Sequence, residues 1–267
     1  MSYKTILVYA DPTSGAKRRL EAAASVAMQF DATLIGVAAA LLRPLTDPYG
    51  QPLISTTIGS ELKDKEHRIQ TELRAAESTF RTWAAAAGVA CEWRDEPEFT
   101  VDLIVASPSA DDDTSDFRPV DLGALLLRSG RPVLAIPAKA EWTGASRVVV
   151  AWKDTREVRR ALADALPLLQ GAENVAIVEI LEPQSRSDGS LAAAGAFLSR
   201  HGVSVEPRSE TQRETSVEEQ LFRYVEADDT DLIVAGGYGH SRLGEWVFGG
   251  VTNALIRQSP VPVFLSH

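Results

Sequence analysis

The sequence predicts an α/β protein built as two tandem parallel sheets covered by helices, and three observations carry that reading. The first is an internal repeat: VDLIVASPSA at 101–110 is nearly copied by TDLIVAGGYG at 230–239. Each is followed by a Pro-Val strand, RPVLAIPA at 131–138 and VPVFLSH at 261–267. The second is that the candidate strands are apolar on both faces, as strands of a helix-covered parallel sheet are. The third is that apolar stripes of helical period alternate with those strands.

The beginnings of the copies match as well. KTILVYAD at 4–11 parallels SRVVVAWK at 146–153, and Arg18-Arg19-Leu20 and Arg160-Ala161-Leu162 follow at the same distance. The matched starts lie 142 residues apart and the matched ends about 129, so the first copy carries about 13 extra residues. Pro44, Pro48, Pro52, Gly50 and Gly59 place the insertion at 43–60, in a loop. The boundary falls at Ala138–Ala145, giving domains 1–141 and 146–267.

Strands are expected at Ile6–Tyr9, Leu34–Ala38, Leu103–Ala106 and Val133–Ile136, and again at Val148–Trp152, Val175–Ile180, Leu232–Ala235 and Val261–Leu265. In the second copy Val158, Ala161, Leu162, Ala165, Leu166 and Leu169 form one helix face. Asp154 with Glu157 three residues on has the spacing of a capping box, and Pro167 is expected to kink the helix. In the first copy Ile69, Leu73, Ala76, Phe80, Trp83 and Ala87 form a long stripe. Ser216 opens a further helix with Val217, Leu221, Tyr224 and Val225 inward. The first copy has only Asp95–Val101 for the same element and has lost it.

Composition narrows the function. The net charge is -10 and no Lys/Arg cluster appears, which argues against nucleic acid. The single cysteine, Cys91, excludes an internal disulfide and a cysteine metal site, and reads as a small apolar strand residue. The four histidines lack metal-ligand spacing. The N-terminus has no signal-peptide pattern, and no apolar run approaches the roughly 18–20 residues that span a bilayer, so a cytoplasmic location is expected.

Chemistry is concentrated in 235–267. Glycines 236, 237, 239, 244, 249 and 250 follow a strand, and a helix begins near Gly249 with Val251, Ala254 and Leu255 along it. Glycine lets backbone approach a ligand, and free N–H groups at a helix start suit phosphate. His240, Ser241 and Arg242 add donors. The alternative is a loop whose glycines serve only tight turns. G-x-G-x-x-G, the Walker pattern and the G-x-S-x-G elbow are absent.

At this loop the sequence resembles the universal stress protein family, over two copies and most strongly in 146–180 and 228–267. The resemblance implies an open sheet of five parallel strands per copy, of the adenine-nucleotide α-hydrolase-like (Rossmann-like) type. ATP-binding members carry G-x2-G-x9-G-[ST]; Gly236, Gly239 and Gly249 match it, Gly250 replaces the Ser/Thr, and Thr252 fits the residue beyond Val251. Those members also have an acid at the end of the first strand. Asp11 holds that place in the first copy, and Lys153, next to Asp154, in the second. The first copy instead replaces the glycine loop by SPSADDDTSDFRPVDLG, whose Pro108 and Asp111, Asp112, Asp113 and Asp116 oppose phosphate. The resemblance therefore implies a non-enzymatic stress-response binding protein. ATP or a related adenine nucleotide would bind weakly in the second copy at Trp152, Lys153, Val178, Gly236, Gly239, His240, Gly249, Gly250, Val251 and Thr252. The alternative is an interaction module of the same family that binds no nucleotide and meets a protein partner. Val133–Ile136 and Val261–Leu265 are expected to meet edge to edge, making the chain an intrachain pseudo-dimer; a further homodimer is compatible with this.

Overall fold

The computed structural model describes residues 2–13, 15–38, 58–108, 117, 120–213, 215–238 and 250–267, with side chains in the second helix from residue 63 on. The first half runs β1 (Thr5–Tyr9), α1 (Ala16–Phe30), β2 (Thr33–Val37), α2 (Ile58–Ala86), β3 (Cys91–Arg94), β4 (Leu103–Ala106), α3 (Leu122–Ser129) and β5 (Val133–Ala135). The second runs β6 (Arg147–Trp152), α4 (Arg156–Asp164), α5 (Leu166–Leu169), β7 (Asn174–Leu181), α6 (Ser190–Arg200), β8 (Val205–Thr211), α7 (Val217–Ala227), β9 (Leu232–Gly236), α8 (Gly250–Gln258) and β10 (Val263–Ser266).

All ten strands form one sheet, in the order β3-β2-β1-β4-β5-β10-β9-β6-β7-β8. Each half has the same internal order, and every pairing within a half is parallel. At the seam β5 and β10 pair antiparallel, Ala135 opposite Val263, Leu134 opposite Phe264 and Val133 opposite Leu265. The two strands expected to meet do so. The two five-stranded sheets thereby join edge to edge into one continuous sheet, because the seam satisfies the backbone groups that two free edges would expose.

Helices cover both faces. One core layer joins Ile6, Val8, Leu20, Phe80 and Leu134 to Val150, Trp152, Leu168 and Phe264; the other joins Leu7, Ile104, Leu126 and Ala135 to Val149, Val178, Ile233 and Leu265. Alternate residues of one strand enter opposite layers, which is why each strand reads as an unbroken apolar run. A polar contact also ties the halves, the buried Tyr3 hydroxyl donating to the Asp164 carbonyl at 2.6 Å, and the linker is held to the first half by Trp142 Nε1, which donates to Ser25 Oγ at 3.1 Å.

The repeated Asp-Leu-Ile-Val motif is a structural staple. Asp102 accepts from the backbone N–H groups of Lys4 (2.7 Å) and Thr5 (3.0 Å); Asp231 accepts from those of Ser146 (3.0 Å) and Arg147 (3.1 Å). Each carboxylate closes the start of the neighbouring strand.

Several expectations change. The cap of α4 is Thr155, whose hydroxyl accepts from Val158 N, and not Asp154, which pairs with Arg159 at 2.7 Å. The helix breaks at Ala165, between α4 and α5, two residues before Pro167. Ser216 caps α7 as expected, and residues 95–102 hold no helix. The edge strands β3 and β8 have little apolar content, and they and helices α1, α3 and α6 are additions to the expected elements, although Cys91 does lie in a strand, β3. Of the loop expected at 43–60, residues 43–57 lie outside the described residues and 58–60 instead begin α2.

Candidate functional site

In each half the order of strands reverses beside the first strand, between β1 and β4 and between β6 and β9. Ligands of open parallel sheets bind in the crevice beyond the carboxyl ends of the strands at such a switch point. The second-half crevice is built from the ends of β6 and β9 and the starts of α4 and α8.

Gly236 ends β9 against the first turn of α4. A Cβ there would stand 2.6 Å from Val158 N and 2.8 Å from the Glu157 carbonyl carbon, so only glycine admits the helix start. Gly237 donates its N–H to the Ser266 carbonyl at 2.9 Å, and its own carbonyl lies 3.0 Å from His267 Nδ1. The other ring nitrogen of His267 is 3.4 Å from Arg156 Nη2. Arginine only donates and a carbonyl only accepts, so this ring is the tautomer with the proton on Nδ1. Tyr238 follows with φ of 59°, and its N–H donates to Thr252 Oγ1 at 3.2 Å. That bond fastens the start of α8 to the end of β9. Burial, and then the Asp121 carboxylate, push the Tyr238 hydroxyl pKa up, with Arg257 opposing.

Glu157 is 4% exposed beside this corner. Burial works against its charge, but hydrogen bonds from Arg156, its own backbone and Thr155, with the Arg156 charge, hold its carboxyl below the ordinary range. The start of α4 thus already holds an internal carboxylate.

The expected site residues divide into three groups. Lys153, Gly236, Gly250, Val251 and Thr252 stand at the strand ends and the start of α8, with Lys153 and Val251 exposed and Thr252 buried. Trp152 and Val178 are buried in opposite core layers; Trp152 Nε1 donates to Ser190 Oγ at 3.1 Å. Their side chains therefore do not share one face of the sheet. Gly239, His240 and Gly249 lie outside the described residues, as do Ser241, Arg242 and Gly244.

Sequence reasoning missed Glu157 as a buried anion, and it missed Arg156 and His267. Glu157 was read as half of a capping box, a pattern that places its carboxylate on the helix surface.

The first-half crevice differs at each equivalent position. Helix α3 is capped by Asp121, whose carboxylate accepts from Ala124 N at 3.0 Å. By the alignment of Ser129 with Ser259, each of which accepts from the backbone N–H two residues on, Asp121 corresponds to Val251. Asp11 is buried and paired with Arg19 at 2.8 Å. Among the described residues no group of three or more His, Cys, Asp or Glu side chains could hold a metal, and no helix is long and apolar enough to cross a membrane.

A model of the universal stress protein family matches residues 167–267. None of the curated proteins compared matches the chain. Among solved structures, a universal stress protein from Archaeoglobus fulgidus DSM 4304 covers 100% of this chain and 99% of its own, with TM-score 0.69 at 17% identity. A functionally unknown protein from Pseudomonas aeruginosa PAO1 covers 99% of this chain and 92% of its own, with TM-score 0.53 at 15% identity. At these identities the likeness shows the fold. Residues 167–267 thus match a universal stress protein domain, within a chain whose fold is similar to that of the archaeal protein.

Proposed function

We propose that the chain is a tandem universal stress protein, with domains 1–141 and 146–267, acting as a non-enzymatic binding protein of the stress response. The second domain takes a phosphate-bearing ligand of the adenine-nucleotide class, weakly, at the switch point between β6 and β9. The first domain is its structural partner.

The observation that carries this is the contrast between α3 and α8. The start of α3 is sealed by the carboxylate of Asp121. The start of α8 carries Gly250 and Val251, residues without a side-chain acceptor, and is held at the crevice by Thr252. An anion at a helix start gains about 0.3–1 kcal/mol, and about 2 when partly buried. Lys153 adds positive charge at the end of β6. The hydroxyl missing at Gly250 costs one hydrogen bond to a charged group, about 1.5–3 kcal/mol, or roughly ten- to a hundred-fold in affinity.

The second reading, an interaction module without nucleotide, is favoured by one observation: the buried carboxylate of Glu157 beside Gly236. Calorimetric titration with ATP, ADP and AMP separates the two. Binding in the millimolar range that tightens in Gly250→Ser supports the nucleotide reading. If neither protein binds any of the three, the interaction module takes its place. Lys153→Ala weakens binding if the lysine faces the phosphates and strengthens it if the lysine obstructs them.

A further inference from the structure

The first-half crevice is occupied from within. Arg19 lies on α1, yet it is only 4% exposed, and its side chain runs back to the ends of the strands. Nε donates to the Tyr9 carbonyl at 2.8 Å. Nη2 donates to the Asp11 carboxylate at 2.8 Å and the Thr13 hydroxyl at 3.1 Å, and reaches the Asp11 carbonyl at 3.4 Å. Thr13 in turn donates both its hydroxyl and its N–H to the same Asp11 oxygen. Gly15 makes the space: a Cβ there would stand 3.0 Å from Arg19 Nη1 and 3.6 Å from Ser107 Oγ, just beyond β4. The guanidinium therefore stands between the end of β1 and the end of β4, at the switch point.

A buried guanidinium is tolerated only where its fork of N–H groups meets acceptors, and here one planar cation meets four oxygens. At the equivalent positions of the second half Arg19 is replaced by Ala161, itself fully buried, and Asp11 by Lys153. Cation and anion are exchanged for a small residue and an exposed lysine, and among the described residues that half has no such occupant.

We propose that the crevice between β1 and β4 is a guanidinium site filled in cis by Arg19, an internal plug that makes the first half a non-binding partner. With Arg19 in place, the space a ligand would use is taken. With Arg19 removed, the site is an oxygen-lined cavity carrying the Asp11 carboxylate, which rejects phosphate and accepts a small planar cation.

Thermal unfolding of the full chain tests this, with methylguanidinium at ~20 mM, far below the molar range in which guanidinium denatures. Methylammonium and urea at the same concentration are the controls. Arg19→Ala is expected to lose roughly 5–15 °C in Tm, because it strands a buried carboxylate. Methylguanidinium is expected to restore roughly 3–6 °C to that variant alone. The wild type does not respond because its site is full, and Asp11→Asn does not because Arg19 still fills the space. Equal rescue by methylammonium, no rescue, or an equal gain in the wild type overturns the proposal. Should Arg19→Ala not fold, hydrogen exchange at the Arg19 Nε–H of the wild type decides. Exchange at least ~10-fold slower than at the exposed Arg200 is expected, and equal exchange overturns it.

Discussion

The two crevices occupy equivalent places in one repeated topology and carry opposite charge logic. In the first, a carboxylate and a guanidinium neutralise each other in the interior, and a second carboxylate seals α3. In the second, a lysine faces outward at the end of β6, the guanidinium position is a buried alanine, and the start of α8 has glycine and valine. Small residues have also changed places. The first half puts Gly15 on the helix side and Ser107 beyond the strand; the second puts Glu157 on the helix side and Gly236 at the strand end. The lesson is that a duplicated fold keeps its backbone and strand staples while its switch points diverge, because packing constrains the sheet and only local charge balance constrains the crevice.

Six substitutions, in four comparisons, break or sharpen that contrast. The largest effect is expected from Gly236→Ser, which gives the second half the residue of the first. The new Cβ would press on backbone atoms of α4, which cannot yield as a side chain does. The expected cost is about 3 kcal/mol, read as a lower denaturation midpoint at unchanged slope. The reverse change, Ser107→Gly, is expected to cost less than about 1 kcal/mol, since it creates no clash.

Next comes Thr252→Val. The shape is kept but the acceptor for the Tyr238 N–H is lost, and Thr252 is buried. A loss of about 1–2 kcal/mol is expected, with faster amide exchange at Tyr238 as the local readout.

Transplanting the first-half seal is the sharpest test of the proposed ligand. Val251→Asp places a carboxylate where Asp121 stands in the first half. Because α8 starts at Gly250, that carboxylate would lie in its first turn, where it is expected to add about 0.3–1 kcal/mol through the helix dipole and to weaken nucleotide binding by at least ~10-fold. Asp121→Ala is expected to cost about 1 kcal/mol and to leave nucleotide binding unchanged. Opposite signs on stability and affinity in one variant separate a sealed helix start from a damaged fold.

The smallest effect concerns pH. Burial raises the Asp231 carboxyl pKa above its ordinary value, despite the hydrogen bonds it accepts from Arg147 and Ser146. The folded state then binds the proton more tightly than the unfolded chain. The contribution to stability is present in full below the unfolded carboxylate pKa and is lost as pH rises through the raised folded value. Asp231→Asn is expected to flatten that part of the stability–pH curve, measured by urea unfolding at steps through the acid range.

The central strands were legible because they rest on unbroken apolar runs, and the seam because the family resemblance and the free strand edges both pointed to it. Leu103–Ala106 and Leu232–Ala235 have almost no polar residue to obscure them, and the Pro-Val strands that follow have one outward-facing edge each to share. The edge strands were not legible. β8 alternates Glu206, Arg208 and Glu210 with little apolar content, because one side of it has no neighbour among the described strands. The cap of α4 was placed one residue early because Asp154 and Thr155 both suit an N-cap, and backbone geometry chose Thr155.

The sequence by itself determined the α/β class and most of the strands. Periodicity and composition are local properties, and these features are local. Only the tertiary structure decided that Arg19 returns to the end of β1, that Glu157 turns inward, and that Trp152 and Val178 face opposite ways. Each of these depends on which groups remain unsatisfied once the chain is packed. That balance of buried charge and hydrogen bonds is set by neighbours distant in sequence, and no local pattern encodes it.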